Sequence, residues 1–298
     1  MAMPEHVGIV DLLVGLPGGD KRWWAQSMAP LLLDAESRSL FTHAAGYMFK
    51  DDPGPSTSMS TDDRIAELLR EMDDHGIQIG LLTVDLHDED GLRAIAEHPD
   101  RLVGCAMVDP NRSVHALRDL ERAVQDHGVR AASFFPCGCV PQVPIDDRRA
   151  FPVYAKCCEL GIPIFVNVGV PGPRVPMAAQ KVARLDEVCW FFPELTVVMR
   201  HGAEPWEELA VKLMTKWPNL HYSTSAFAPR YYPRAIIDYT NSSRGADKVL
   251  YAGYYPSGLS FDRILRELRD LPLRDEVWPK FLRTNALRVL GLDLDDAG

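Results

Sequence analysis

The chain has 298 residues, enough to bury the core of one α/β barrel. Apolar residues make up 46% and charged residues 25%, the balance of an ordinary globular protein. The net charge of -10 argues against nucleic acid or an anionic membrane as partner, because both need clustered cations.

No apolar run approaches the ~20 residues of a membrane span. No basic stretch followed by an apolar segment opens the chain, so no secretory signal is read and a cytoplasmic location is expected. The six cysteines, Cys105, Cys137, Cys139, Cys157, Cys158 and Cys189, include no Cys-x-x-Cys pair and mostly lie in apolar segments. They read as buried thiols in a reducing compartment.

Taken in chain order, short apolar runs alternate with amphipathic stretches. The runs are Val7–Val14, Ile77–Val84, Leu102–Val108, Val129–Phe135, Ile162–Val168, Leu195–His201, Leu220–Thr224 and Val249–Tyr254. Near-continuous apolar runs suit parallel strands covered on both faces, and this number of them predicts a (β/α)8 TIM barrel. Helical spacing of apolar residues predicts helices over Asp62–His75, Val114–His127, Asp146–Leu160, Met177–Phe192, Glu204–Lys216, Tyr232–Tyr239 and Phe261–Leu268. Glycine follows three of these helices, at His75-Gly76, His127-Gly128 and Leu160-Gly161, as a C-cap residue should.

Two segments break the rhythm. Gly18–Ser60 is aromatic and rich in Pro and Gly, and is read as an insertion over the barrel mouth, a lid or a dimer contact. Pro171–Pro176 is a stiff loop after the fifth strand. Glu276–Leu290 reads as a terminal helix, and the whole of 1–298 as one barrel domain.

Three strand ends carry the functional signal: Val198-Met199-Arg200-His201-Gly202-Ala203-Glu204-Pro205-Trp206, Phe165-Val166-Asn167-Val168-Gly169 and Leu250-Tyr251-Ala252-Gly253-Tyr254-Tyr255-Pro256. Together they resemble the metal-dependent amidohydrolase superfamily, in the branch that includes aminocarboxymuconate-semialdehyde decarboxylase. The resemblance is best from about Val129 to Leu292.

It implies Asp-x-His-x-His on the first strand, where this chain has Asp11, Leu13 and Gly15. It implies His-Thr-Gly on the fifth, where Asn167-Val168-Gly169 stands. It implies a metal-binding aspartate on the eighth, where Tyr254 stands. Leu13 and Gly15 offer no side-chain lone pair, and one surviving imidazole, His201, falls short of the three protein ligands a catalytic zinc wants. No divalent metal is therefore expected. The one alternative is a soft metal held by Cys137, Cys139 and His201.

The matching histidine in the family resembles a general acid/base, which makes His201 the proton-transfer candidate. Alternation along the first strand points Asp11, Leu13 and Gly15 the same way and sets Asp11 beside the site. Tyr254 is a hydrogen-bond donor for an oxyanion and Asn167 a group to orient a carbonyl. Arg174, on the stiff loop, suits a substrate carboxylate. Phe135, Trp24 and Tyr47, with Phe134 and Trp23, are candidate walls of an apolar pocket. Arg200 is expected to alternate out of the barrel and pair with a helix carboxylate.

The reading is an amidohydrolase-like hydrolase or carboxy-lyase acting on a small cyclic or aromatic carboxylate or carbonyl compound, working as a homodimer. The alternative is a non-catalytic relative, a binding module or the inactive partner of a hetero-oligomer.

Overall fold

The computed structural model describes residues 3–4, 7–18, 26–39, 45–48 and 59–292. Eight strands form one parallel sheet in sequence order: β1 Ile9–Val14, β2 Ile77–Val84, β3 Leu102–Met107, β4 Ala131–Phe134, β5 Ile164–Asn167, β6 Val197–Arg200, β7 Leu220–Ser223 and β8 Val249–Leu250. A bridge between Val14 and Tyr255 closes the ring between β8 and β1. The predicted TIM barrel is therefore the observed fold.

The longer helices between strands are α1 Thr61–Asp74, α2 Glu89–Glu97, α3 Val114–His127, α4 Phe151–Leu160, α5 Leu185–Phe191, α6 Glu207–Lys216, α7 Arg234–Thr240, α8 Phe261–Leu268 and α9 Asn285–Leu290. Ser60 caps α1 by accepting the N–H of Asp63, and Asp88 caps α2 from Gly91. Of these helices α2 is unforeseen, because it is short and its polar face dominates. Gly128 and Gly161 end α3 and α4 in the left-handed conformation that spares glycine a Cβ clash.

Alternation along each strand divides the core in two. Val10, Ile79, Leu81, Val103, Phe165, Val198 and Leu250 fill the barrel interior. Their neighbours Ile9, Leu82, Val166, Val197 and Met199 face the surrounding helices. Ala286, Leu287 and Leu290 of α9 join the interior cluster. Asn285 anchors that helix by donating to the carbonyls of Ala246 and Val249. The helix thus plugs the barrel beneath the start of β8, which leaves the strand C-termini as the mouth.

Strand β1 departs from alternation. A register shift lies between Asp11 and Val14, and both Leu12 and Leu13 belong to the interior cluster. Asp11 therefore does not share a face with Leu13 as expected. The described part of the Gly18–Ser60 segment packs beside the mouth: Met28 and Leu32 are buried against Phe135 and Val175.

Candidate functional site

Arg200 ends β6, and the chain then turns abruptly. His201, Gly202 and Ala203 all have positive φ, at 64°, 107° and 94°. At Gly202 the φ of 107° is a conformation that side chains strain, which favours glycine there. At Gly169, with φ of 82°, a Cβ would come within 2.9 Å of the Glu204 carbonyl oxygen. The loops after β5 and β6 are thus held in close backbone contact.

The turn brings His201 into the mouth. Ser225 Oγ accepts its backbone N–H at 3.1 Å and lies 3.0 Å from its Nδ1. The ring meets that of Tyr254 edge-on, with centroids 5.6 Å apart. Ser225 is itself placed by Ser223, 3.4 Å away, which donates to the Met199 carbonyl. Burial raises the Tyr254 phenol, only partly offset by the charge of Arg200, so it stays a neutral donor across the physiological range.

Asn167 ends β5 as the register partner of Arg200 and is buried. Since β6 alternates, Arg200 follows Val198 into the barrel rather than turning outward. Its guanidinium sits 6.0 Å from the Phe165 ring, and the whole residue is 6% exposed. The expected pairing with a helix carboxylate is corrected: among the described residues no carboxylate reaches it. Sequence reasoning went wrong by treating His201 as the next inward residue of a regular strand, when the positive φ of His201 lets consecutive residues serve the same space. Ser225 was missed too, although the hydroxyl run Ser223-Thr224-Ser225 at a strand end was a visible signal.

Asp11 is fully buried and stands apart from His201. Its Oδ1 accepts the N–H of Leu13 at 2.9 Å and of Gly253 at 2.8 Å. Its Oδ2 lies beside the Tyr251 hydroxyl without a well-formed hydrogen bond. Burial raises this carboxyl to about 6 against the opposing pull of the two N–H donors. It is a clasp between β1 and the end of β8, one residue from Tyr254, and not a partner of His201.

Arg174 is also corrected. Its Nη1 already bonds Asp34 at 3.0 Å and Glu36 at 2.7 Å, and its guanidinium lies 4.3 Å above the Tyr47 ring. The Tyr47 hydroxyl donates to the Gly172 carbonyl. These two residues pin the segment after β1 to the loop after β5 and do not form an open carboxylate anchor. Phe135 packs against that segment, while Phe134 belongs to the outer core. Trp23 and Trp24 lie outside the described residues.

The alternative metal set fails on geometry. Cys137 Sγ donates to the Pro176 carbonyl at 3.2 Å, and Cys139 Sγ to that of Phe135 at 3.5 Å. Burial raises both thiols, Cys137 to about 12, so neither is a ready thiolate ligand. Among the described residues no group of three or more His, Cys, Asp or Glu side chains converges as a metal site. The positions that the resemblance assigns to metal ligands carry two residues without donors, an amide and a phenol, and a guanidinium stands among them. This donor set does not fit a divalent cation.

A groove of about 500 Å³ lies elsewhere, on the flank between Asp146, Arg184, Asp186, Trp190 and Trp217. Four of its charged groups are already paired, Arg184 with Asp146 and Lys216 with Asp186. The strand ends remain the better site.

A parallel barrel with polar groups converging at the strand C-termini is the layout of a barrel enzyme site. The family model for amidohydrolases matches residues 40–292, and the chain belongs to the amidohydrolase family. No curated protein sequence matches it.

Solved structures resemble it along almost their whole length. An uncharacterized TIM-barrel protein from Bordetella bronchiseptica is 22% identical, with a TM-score of 0.74 over 95% of this chain and 98% of that one. A 4-oxalomesaconate hydratase from Rhodopseudomonas palustris is 19% identical, with a TM-score of 0.63 over 95% of each chain. A 5-carboxyvanillate decarboxylase from Novosphingobium aromaticivorans, complexed with manganese and a nitrobenzoic acid, is 16% identical, with a TM-score of 0.65 over 98% of each. At these identities the likeness carries the fold.

Proposed function

We propose that this chain is an amidohydrolase-family enzyme that acts on a small cyclic or aromatic carboxylate without a divalent metal, by decarboxylation or by the related addition or removal of water. The observation that carries the reading is His201, turned into the mouth by its left-handed backbone, held by Ser225 and set against Tyr254. The hydratase and decarboxylase among the structural relatives support the substrate class.

In a decarboxylation, the carbon that loses carbon dioxide must gain a proton. His201 is the group placed to deliver it, since an imidazole can both take up and release a proton. Tyr254, kept neutral by burial, donates to the oxygen on which negative charge grows. Asn167 orients the adjoining carbonyl or hydroxyl. Asp11 acts through the backbone, fixing Gly253 and so the position of Tyr254. The Tyr47–Arg174 contact holds the described part of the segment after β1 against the loop after β5.

The test is a panel of hydroxylated aromatic acids, followed by ultraviolet absorbance and carbon dioxide release, on protein stripped of metal by chelation. Turnover that falls by about a hundredfold or more in His201→Ala, with the fold retained, supports the reading. Turnover that survives His201→Ala unchanged rejects the assignment of His201, and turnover that requires added manganese rejects the metal-free mechanism.

A further inference from the structure

Arg200 ends β6 at the mouth, and the preceding scheme leaves its chemistry unused. Its burial is close to complete, and its Nε is buried without a hydrogen-bond partner. The titratable groups that face it are Cys105 and Tyr254, and burial raises both, so both are neutral.

The chain has 42 acidic residues, and other arginines find them readily. Arg70 holds Glu67, Glu71 and Asp74, Arg149 holds Asp147, and Arg184 holds Asp146. At Arg200 no described carboxylate is supplied. Isolated buried charge is strongly unfavourable, and folded proteins otherwise pair it. The cation also stands at a strand C-terminus, beside Asn167 on the next strand and below His201, with the Phe165 ring on one side.

We infer that Arg200 is the anion-binding residue of the site, and that its missing partner is the carboxylate of a small aromatic acid. The guanidinium offers a planar pair of N–H donors that matches a carboxylate. Phe165 lines the wall, and Asn167 sits where it meets a neighbouring polar group on the ring. Fixed positive charge therefore comes from the protein itself, at the end of β6. Burial holds the guanidinium below its ordinary value, and an arriving anion relieves that cost. This inference rests on the proposed substrate class and assigns the group that recognises it.

The experiment compares wild type, Arg200→Met and Arg200→Lys by calorimetric titration with benzoate and 2,6-dihydroxybenzoate, and with resorcinol as the neutral control. Arg200→Met is expected to weaken the two carboxylates by about tenfold or more and to leave resorcinol unchanged, with Arg200→Lys between them. Carboxylate is expected to raise the melting temperature of wild type and not of Arg200→Met. Without ligand, Arg200→Met should melt no lower than wild type, because it removes an unpaired buried charge.

Equal carboxylate binding in wild type and Arg200→Met overturns the inference. So does failure of either acid to bind wild type. A ligand-free Arg200→Met that melts well below wild type, or does not fold, marks a structural cation and overturns it as well. Arg200-dependent binding without product leaves this inference standing and removes the proposed reaction. Turnover that survives Arg200→Met does the reverse.

Discussion

Ser225 meets His201 twice, its Oγ accepting the backbone N–H at 3.1 Å and standing 3.0 Å from the ring Nδ1. One hydroxyl thus fixes both the left-handed turn after β6 and the orientation of the imidazole. The Ser225 proton is directed either to Nδ1 or to Ser223, so the serine pair also sets which ring nitrogen carries the proton.

Ser225→Ala should therefore lower kcat by about tenfold or more while leaving KM nearly unchanged, since small misplacements of a proton donor are costly. Ser225→Thr should restore part of the loss. Nitrogen NMR of the His201 ring reports the tautomer directly, and a ring signal identical in wild type and Ser225→Ala would remove Ser225 from the scheme.

Asp11 links stability to pH. Its folded carboxyl is pushed by burial up to about 6, above the ordinary value for an aspartate. The folded state thus binds the proton more tightly than the unfolded chain. That contribution is present in full below about pH 4 and is lost as pH rises through 6. Asp11→Asn keeps an oxygen for the N–H groups of Leu13 and Gly253 and removes the charge. It should be more stable than wild type at pH 7.5, by up to about 3 kcal/mol, with the gap mostly closed at pH 4. Urea unfolding at the two pH values measures this, and a gap independent of pH would contradict it.

The Arg174 contacts are largely exposed, so solvent screens them and each stabilises the fold little. Arg174→Ala should leave global unfolding almost unchanged and speed hydrogen exchange around Asp34–Ser39. It should leave carboxylate affinity close to wild type, in contrast to Arg200→Met. A large loss of carboxylate affinity in Arg174→Ala would restore it as the substrate anchor.

The thiols make a further contrast. Cys158 is the half-buried cysteine and the other five are buried. A disulfide reagent at pH 8 should consume Cys158 first and reach the rest only on unfolding. Added zinc or manganese should leave the melting temperature unmoved, since Cys137 and Cys139 are committed to carbonyls. A metal-dependent rise in melting temperature that also slows thiol modification would return these cysteines to the site.

The barrel was legible because its signal is local and repeated. Parallel strands shielded on both faces read as apolar runs, and helices between them carry their own 3.6-residue spacing. The placement of Asn167 and His201 at strand ends was legible for a related reason: a strand end in a barrel is an address, and the chain order of strands fixes which ends exist.

Side-chain direction at those ends was not legible. Alternation gives the face of a residue only while the strand stays regular. It fails where β1 shifts register after Asp11 and where φ turns positive at His201. Asp11 became a clasp, and Arg200 became the buried cation.

By itself the sequence determined the fold class and the order of the strands. Tertiary structure alone decided that Arg174 is claimed by Asp34 and Glu36, from segments about 140 residues away, while no described carboxylate reaches Arg200. The physical reason is that ion pairing depends on distances in space, and no local pattern in the chain encodes which charges meet.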